Sequence, residues 1–241
     1  MTKFERRGEH LAGPNEIAIS SRMNGLRAGV LGANDGIVSM AALLVGVAAA
    51  APTEGALLVA GIAGISAGAL SMGIGEYVSV SSQRDAERAQ IEREKSWQDS
   101  RPEWELEQLV ELNMKTGMSE EVARAAASEQ MEHDALGIHA LMHLGIDPKQ
   151  FTSPWTAGTA SLLAFTVGGI IPTATILLVP NTWAIAATFA AVLVALAITG
   201  LTSARVAHSS KRKALMRNLA GGSLAMLVTY GIGALLGTQV L

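Results

Sequence analysis

Long apolar runs alternate with polar stretches along this chain of 241 residues. Five of the runs reach about 20 residues or more, the length at which an α-helix crosses a hydrocarbon core about 30 Å thick. These runs occupy residues 28–51, 55–81, 156–179, 183–203 and 219–239. The pattern therefore predicts an all-α integral membrane protein with five transmembrane helices.

Two other interpretations of the apolar runs compete with this one. A secretory signal peptide is disfavoured, because the first run is too long, follows 27 polar or mixed residues and lacks a small-residue cleavage pattern. Buried helices of a soluble bundle would need polar faces at the helical period, and residues 56–70 have almost none. The membrane interpretation accounts for all five runs.

The longest polar stretch, residues 83–150, separates the second predicted span from the third. Its Gly, Pro and capping positions predict a three-helix insert, whose first helix continues from the second span to about Lys95. Two further helices are expected at residues 102–117 and 119–145. Asp99 or Ser100 is expected to cap the first of these two helices, and Ser119 the second.

Basic residues predict the topology. All 18 Lys and Arg residues lie in three clusters, at residues 1–27, 83–150 and 204–217. Basic segments stay on the cytoplasmic side, so the amino terminus and the insert are expected inside the cell and the carboxyl terminus outside. The predicted domains are a cytoplasmic amino-terminal segment, the first two spans, the cytoplasmic insert and the last three spans, at residues 1–27, 28–82, 83–150 and 151–241.

Composition excludes several classes of function. Charged residues make up 16% of the chain, and the mean hydropathy is +0.33, whereas soluble domains carry about a quarter charged residues. With no cysteine, the chain has no disulfide scaffold, thiolate metal site or cysteine nucleophile. No phosphate-binding loop is present, so we expect a gradient-driven process rather than an enzyme or a nucleotide-driven motor. The net charge of −3 does not point to a nucleic-acid partner.

The insert is strongly acidic: it holds 15 of the 21 Asp and Glu residues against eight Lys and Arg, a net charge of −7. Three carboxylates on its second helix are spaced i, i+4 and i+8, namely Glu103, Glu107 and Glu111. On the third helix Met131 and Asp134 are neighbours, and Glu132, His139 and His143 lie on another stripe. Carboxylate, imidazole and thioether groups together suit divalent Fe, Mn or Co. The alternative is a solvated amphipathic hairpin whose charges only keep it soluble.

Two ionisable residues, Asp35 and Glu76, lie inside predicted spans. Each costs roughly 2.5 to 3.5 kcal/mol on insertion scales, which makes both candidates for function. Helical rise places both about 10 Å from the cytoplasmic face, so the two carboxylates are expected to face each other. Met72 lies one turn deeper than Glu76, and Asn34 and Ser39 add oxygen atoms near Asp35. The alternatives are hydrogen bonds from the carboxylates to neighbouring helices, and simple packing of Met72.

Small residues are dense in the spans. They include the Gly32-x3-Gly36 and Gly64-x3-Gly68 pairs and the Gly221-Gly222 dipeptide. In lipid, small residues let helix backbones approach closely, so these positions predict tight helix contacts. The glycines of residues 231–237 superficially resemble a dinucleotide-binding loop, but they lie in an apolar helix without a preceding strand, and we interpret them as packing positions.

Two longer motifs carry a family resemblance. Residues 31–39 read LGANDGIVS, and residues 72–85 read MGIGEYVSVSSQRD. Together they closely resemble the vacuolar iron transporter family, in its bacterial form. Shorter matches support the resemblance at FTVGGIIP, GLTSA and TYGIG, residues 165–172, 200–204 and 229–233. The similarity extends from about Arg27 to the carboxyl end.

The resemblance implies a homodimer of five-span subunits that moves Fe(II), and often Mn(II), out of the cytosol in exchange for protons. It implies no permanently bound cofactor, and Co(II) and Zn(II) are further candidate cargoes. Asp35 and Met72 correspond to residues of the family's ion path. The bacterial form of the family, together with the absence of an amino-terminal targeting segment, favours the bacterial inner membrane.

The family's cytoplasmic domain collects metal with glutamates and methionine. By position, this role transfers to Glu94, Glu105, Met131 and Asp134, with Glu103, Glu107 and Glu111 as further candidates. Trp97 and Gln108 depart from the pattern, since they stand where acidic ligands are expected three residues after Glu94 and Glu105.

The hypothesis from sequence is a divalent metal transporter in which the acidic insert captures the ion and Asp35, Glu76 and Met72 conduct it outward. Two alternatives remain open. A passive metal channel would use the same polar residues without proton coupling. A membrane-anchored metal sensor or buffer would bind ions in the insert and use the spans only as anchors.

Overall fold

The computed structural model describes residues 14–50 and 53–240, and within these ranges the chain is helical with no strand. The helices are α1 (Pro14–Ala49), α2 (Glu54–Ser100), α3 (Pro102–Lys115), α4 (Glu120–His139), α5 (Pro154–Leu178), α6 (Asn181–Val206) and α7 (Lys211–Val240). A π-helical turn, Ala140–Leu144, follows α4. Residues 1–13 of the predicted amino-terminal segment, and the last residue of the first predicted span, lie outside the described ranges.

Five of the helices are long and apolar enough to cross a membrane, which confirms the prediction of an all-α protein with five spans. They are Arg27–Ala49 within α1, Glu54–Ser100, Pro154–Leu178, Asn181–Val206 and Lys211–Gly237. The protein is therefore a multi-pass membrane protein. The second helix is longer than predicted, since α2 continues for 47 residues to Ser100 rather than ending near Lys95.

The chain divides into two compact units, and α2 runs from one into the other at Ser79. The first unit holds α2 as far as Val78 together with the other four spans, and α1 packs there against α5, α6 and α7. Apolar side chains fill the contacts on both sides of α1. One cluster contains Met40, Leu44, Phe165 and Ile176, and the other contains Ile37, Ala41, Val192, Leu196 and Met226.

Glycines let α1 and α5 approach backbone to backbone. A Cβ atom on Gly32 would lie 2.7 Å from the carbonyl oxygen of Ser161, and one on Gly36 would clash with the carbonyl oxygen of Phe165. Gly168 makes the reciprocal approach to α1 at Ala33. These contacts confirm that the small residues of the first span serve close helix packing.

The second unit comprises Ser79–Ser153, with the carboxyl part of α2, then α3 and α4. Leu109 and Val110 of α3 pack against Ala123 and Ala127 of α4 and form its apolar core. The predicted cap at Asp99 or Ser100 is wrong: Arg101 occupies the N-cap position, because α2 includes both predicted residues.

The third helix of this unit begins and ends where the sequence predicts. Ser119 is the N-cap of α4, although its side chain makes no capping hydrogen bond. The helical backbone ends after the π-helical turn at Gly145, whose φ of +69° favours glycine.

Candidate functional site

A cavity of about 520 Å³ opens in the first unit between α1, α2 and α7. Asp35 and Asn34 of α1 line it together with Met72 of α2, and Arg217 and Asn218 line it from α7. Gly221 and Gly222 form another part of its wall, where the lack of a side chain leaves space. Sequence motifs 37 residues apart, at Asp35 and Met72, therefore meet in one place.

The α1 side of this cavity offers acceptor atoms that a cation can use, on Asp35 and Asn34. Oδ1 of Asp35 accepts a hydrogen bond from Oγ of Ser39 at 3.0 Å. Oδ1 of Asn34 is buried and, among the described residues, has no hydrogen-bond partner. A buried acceptor without a partner destabilises the fold, and a cation bound to Oδ1 of Asn34 would remove this cost. Carboxylate and amide oxygens beside a thioether suit a transition ion better than Mg²⁺ or Ca²⁺.

Glu76 is not among the residues that line the cavity, although it lies one helical turn from Met72. Its pairing with Asp35 therefore stays a prediction. The sequence pattern does not indicate Arg217 or Asn218 as site residues. Arg217 belongs only to the basic cluster at residues 204–217, which predicts topology. The signal that could have found them is their position one turn before the Gly221-Gly222 dipeptide, on a face of α7 that meets other helices.

A buried cluster of ionisable side chains lies in the second unit. Nδ1 of His139 is 3.1 Å from Oε2 of Glu94, and Nε2 of the same ring is 3.0 Å from Oε2 of Glu105. Nδ1 of His143 is 2.8 Å from the other oxygen of Glu94, Oε1. The exposed fractions are 1% for Glu94, 0% for Glu105 and 0% for the His139 side chain, whereas the His143 side chain is 35% exposed.

Local structure explains how three helical segments deliver these groups. Glu94 is on the extension of α2, Glu105 is on the first turn of α3, and His139 is the last residue of α4. The π-helical turn that follows carries His143, and the two imidazole ring centroids are 5.4 Å apart. π-helical turns recur at functional sites because they re-aim a side chain within a helix.

Burial dominates the electrostatics of Glu105. Removal from water raises the pKa of its carboxyl group above the ordinary value, and the positive charge that His139 can carry offsets part of this effect. The nearby Glu94 raises the pKa further by repulsion between like charges. Both carboxylate oxygens of Glu105, and Nε2 of His139, lack a hydrogen bond within the described ranges.

The other residues predicted to bind metal in the insert have different surroundings. Glu107 is bound to Arg124, whose hydrogen bonds lower the pKa of that carboxyl group. Glu103 and Glu111 are exposed on the same helix, α3. Met131 packs against the apolar core of the unit.

Both carboxylate oxygens of Asp134 already have a partner, one in the backbone and the other on a lysine. Its own backbone departs from helical geometry, with φ −156° and ψ 71°, and its Oδ1 accepts a hydrogen bond from the backbone N–H of Gly137 at 3.0 Å. Its Oδ2 lies 3.0 Å from Nζ of Lys149, and these contacts lower the pKa of the carboxyl group. Metal binding by Asp134 thus stays a prediction, and it would have to compete with Lys149.

The chain is similar to the members of one family over most of its length. The sequence model of the VIT family matches residues 26–234. A vacuolar iron transporter of Acanthamoeba castellanii is 41% identical over 211 residues, which cover 87% of this chain and 78% of that protein. Vacuolar iron transporter homolog 1 of rice, Oryza sativa subsp. japonica, is 38% identical over 93% of this chain and 78% of its own length.

A plant relative from a second species extends the comparison. Vacuolar iron transporter homolog 1 of Arabidopsis thaliana is 35% identical over 92% of this chain and 88% of its own length. These relatives are named as transporters and not as enzymes, in agreement with the prediction from sequence. The family match covers four spans and the insert in full and the fifth span as far as residue 234, so this chain belongs to the VIT family.

Proposed function

We propose that this protein transports divalent transition-metal ions across the membrane, with iron as the first candidate cargo and manganese as the second. The observation that carries the proposal is the cavity in which Asp35 and Met72 meet between membrane-spanning helices. Insertion of an ionisable side chain into a membrane span costs free energy, so residues in such positions commonly mark an ion path. The names of the relatives support iron as the cargo.

Proton antiport is proposed from the chemistry of a single half-buried carboxylate, Asp35, within a membrane-spanning helix. When the metal ion leaves Asp35, the uncompensated charge is unfavourable in a medium of low dielectric, and a proton that returns to the carboxylate neutralises it. Metal and proton thus occupy the same group in turn. We further propose that the metal moves from the cytosol outward and that two subunits form a homodimer, as the resemblance to the family implies. The basic segments of the chain are proposed to lie on the cytoplasmic side.

The insert is proposed to capture the ion on the cytoplasmic side. Its net charge of −7 raises the local concentration of cations, and Glu94 and Glu105 supply buried carboxylates. Exposed acidic side chains such as Glu103 and Glu111 contribute to this attraction without forming a closed site. No resident cofactor is required for any of these steps.

Transport of Fe(II) and Mn(II) into proteoliposomes tests the proposal. Vesicles with the cytoplasmic side outward are expected to accumulate metal faster when their interior is acidic, because outward proton flow then drives metal entry. A rate of metal uptake that does not change with the pH gradient would identify a passive channel. Metal binding without any flux would identify a sensor or buffer and overturn the transporter.

Arg217→Gln is expected to lower the KM for Mn(II) several-fold, because a fixed positive charge on the cavity wall repels the dication. The initial rate of Mn(II) uptake as a function of concentration measures this effect. Arg212→Gln removes an equal charge from the exposed first turn of α7 and is the matched control. An unchanged or raised KM in Arg217→Gln would contradict a repulsive role for this residue.

A further inference from the structure

We propose that Glu94, His139 and His143 form a metal site that binds one divalent first-row transition ion through a carboxylate and two imidazole nitrogens. Glu105 is proposed as a positioning residue that holds His139. The inference deepens the proposed capture of the ion by the insert, and its role in transport rests on that function. Metal binding at this site does not require that the protein transports metal.

The donor atoms already have the spacing of metal ligands. One donor atom from each of Glu94, His139 and His143 lies within 4.8 Å of the other two. The two nitrogen-to-oxygen distances to Glu94 are 3.1 and 2.8 Å. Two ligands that are each about 2.1 Å from an ion, at right angles, lie about 3 Å apart. An ion can therefore replace the protons between these groups with small side-chain adjustments.

Glu105 completes the arrangement from the far side of His139. A metal-bound imidazole almost always donates its other ring N–H to a carboxylate or a carbonyl group, which fixes the tautomer and orients the ring. Here Nδ1 of His139 faces Glu94, and Nε2 is 3.0 Å from Oε2 of Glu105. The contact is too poorly aligned to count as a hydrogen bond, and both oxygens of this fully buried carboxylate lack one among the described residues. Rotation of the ring onto a metal would align it.

A purely structural ion-pair network is the competing explanation, with a protonated His139 between two buried carboxylates. The position of His143 favours the metal. In that explanation a single imidazolium would serve both carboxylates, yet a second imidazole lies 2.8 Å from Glu94. Its side chain is 35% exposed, whereas Glu94 and His139 are buried, so one edge of the cluster is open to an ion and to water ligands.

The donor set defines the class of ion. Two imidazoles and one carboxylate with open positions suit Fe(II) and its neighbours Mn(II), Co(II) and Zn(II). Mg²⁺ and Ca²⁺ prefer shells made of oxygen alone. A site of this kind therefore separates transition ions from the abundant alkaline-earth ions before any transport step.

Titration of the full-length protein with Co(II) in detergent tests the site through the visible absorption of the bound ion. The titration uses the Asp35→Asn background, so that the membrane cavity does not contribute. We expect binding that millimolar Mg(II) does not displace, and an affinity about 10- to 100-fold weaker in Glu94→Gln, His143→Gln and Glu105→Gln. Glu92→Gln and His133→Gln, which alter exposed residues of α2 and α4, are the matched controls and should bind Co(II) normally.

A second measurement does not depend on substitution of buried residues. Electron spin-echo spectra of bound Mn(II), recorded with ¹⁵N-labelled histidine, should contain coupling to imidazole nitrogen, and this coupling should weaken in His143→Gln. An absence of nitrogen coupling, displacement of Co(II) by Mg(II), or equal losses in the control variants would each overturn the site. If the protein binds Co(II) and shows nitrogen coupling to bound Mn(II), but the wild type moves no metal, the proposed function would be overturned and the site would remain.

Discussion

Asp35→Asn is expected to reduce Fe(II) and Mn(II) transport by a hundredfold or more. The amide has nearly the same shape as the carboxylate, so the cavity lined by Met72 and Arg217 keeps its form, but the charge that attracts the dication is lost. Loss of an outer-shell partner of a metal ligand typically costs about 10- to 100-fold in affinity or activity, so loss of the charge of the ligand itself is expected to cost about a hundredfold or more, at least about 2.7 kcal/mol. The amide also cannot take up the returning proton, so coupling is expected to fail together with binding.

Initial rates of metal uptake into proteoliposomes measure this effect. Glu54→Gln is the matched control, since it removes the same charge from an exposed position at the start of α2. The control is expected to transport at the wild-type rate. Transport by Asp35→Asn at a rate near that of the wild type would mean that the ion takes another path.

Gly36→Ala is expected to give the largest loss of stability of any glycine-to-alanine substitution in α1. The new Cβ atom would clash with the carbonyl oxygen of Phe165, which is backbone and cannot turn aside as a side chain can. The two helices must therefore separate along a contact that Gly32 and Gly168 also hold close. Overpacking of this kind costs about 1–3 kcal/mol, occasionally more. Because Asp35 is the adjacent residue, the same displacement is expected to deform the cavity and slow transport.

Thermal unfolding in detergent, followed by circular dichroism, measures this loss. Gly29→Ala is the control on the same helix, two turns earlier, where nothing lies within 4 Å of the added methyl group. Helix propensity alone favours alanine over glycine by about 1 kcal/mol, so the control is expected to be neutral or stabilising. Equal unfolding temperatures for the two variants would refute the close packing of α1 on α5.

The spans were predictable because their signal is local. A run of apolar residues predicts a membrane-spanning helix without information from the rest of the chain. The predicted ends of the third and fourth spans lie within three residues of the ends of α5 and α6. The end of α2 was less predictable. No Gly or Pro lies between Gln83 and Arg101, so nothing in the sequence marks where that helix stops before Pro102.

The membrane cavity was partly predictable and the buried cluster much less so. Asp35 and Met72 were recognisable because charge and sulfur are conspicuous against an apolar background. His139 and His143, by contrast, were assigned to a stripe with Glu132, since helical periodicity compares residues within one helix only. Their partner Glu94 is 45 positions away from His139 on another helix, and such pairings appear only when the chain is folded.

The π-helical turn Ala140–Leu144 adds one residue to the helix that carries the two imidazoles. Because i→i+5 bonding spreads this extra residue over about one helical turn, the residues that follow stay in phase with α4. Loss of one residue between His139 and His143 is therefore expected to restore ordinary winding and to change the direction of His143 only slightly. The second imidazole is thus expected to tolerate this one change of chain length and to stay beside Glu94.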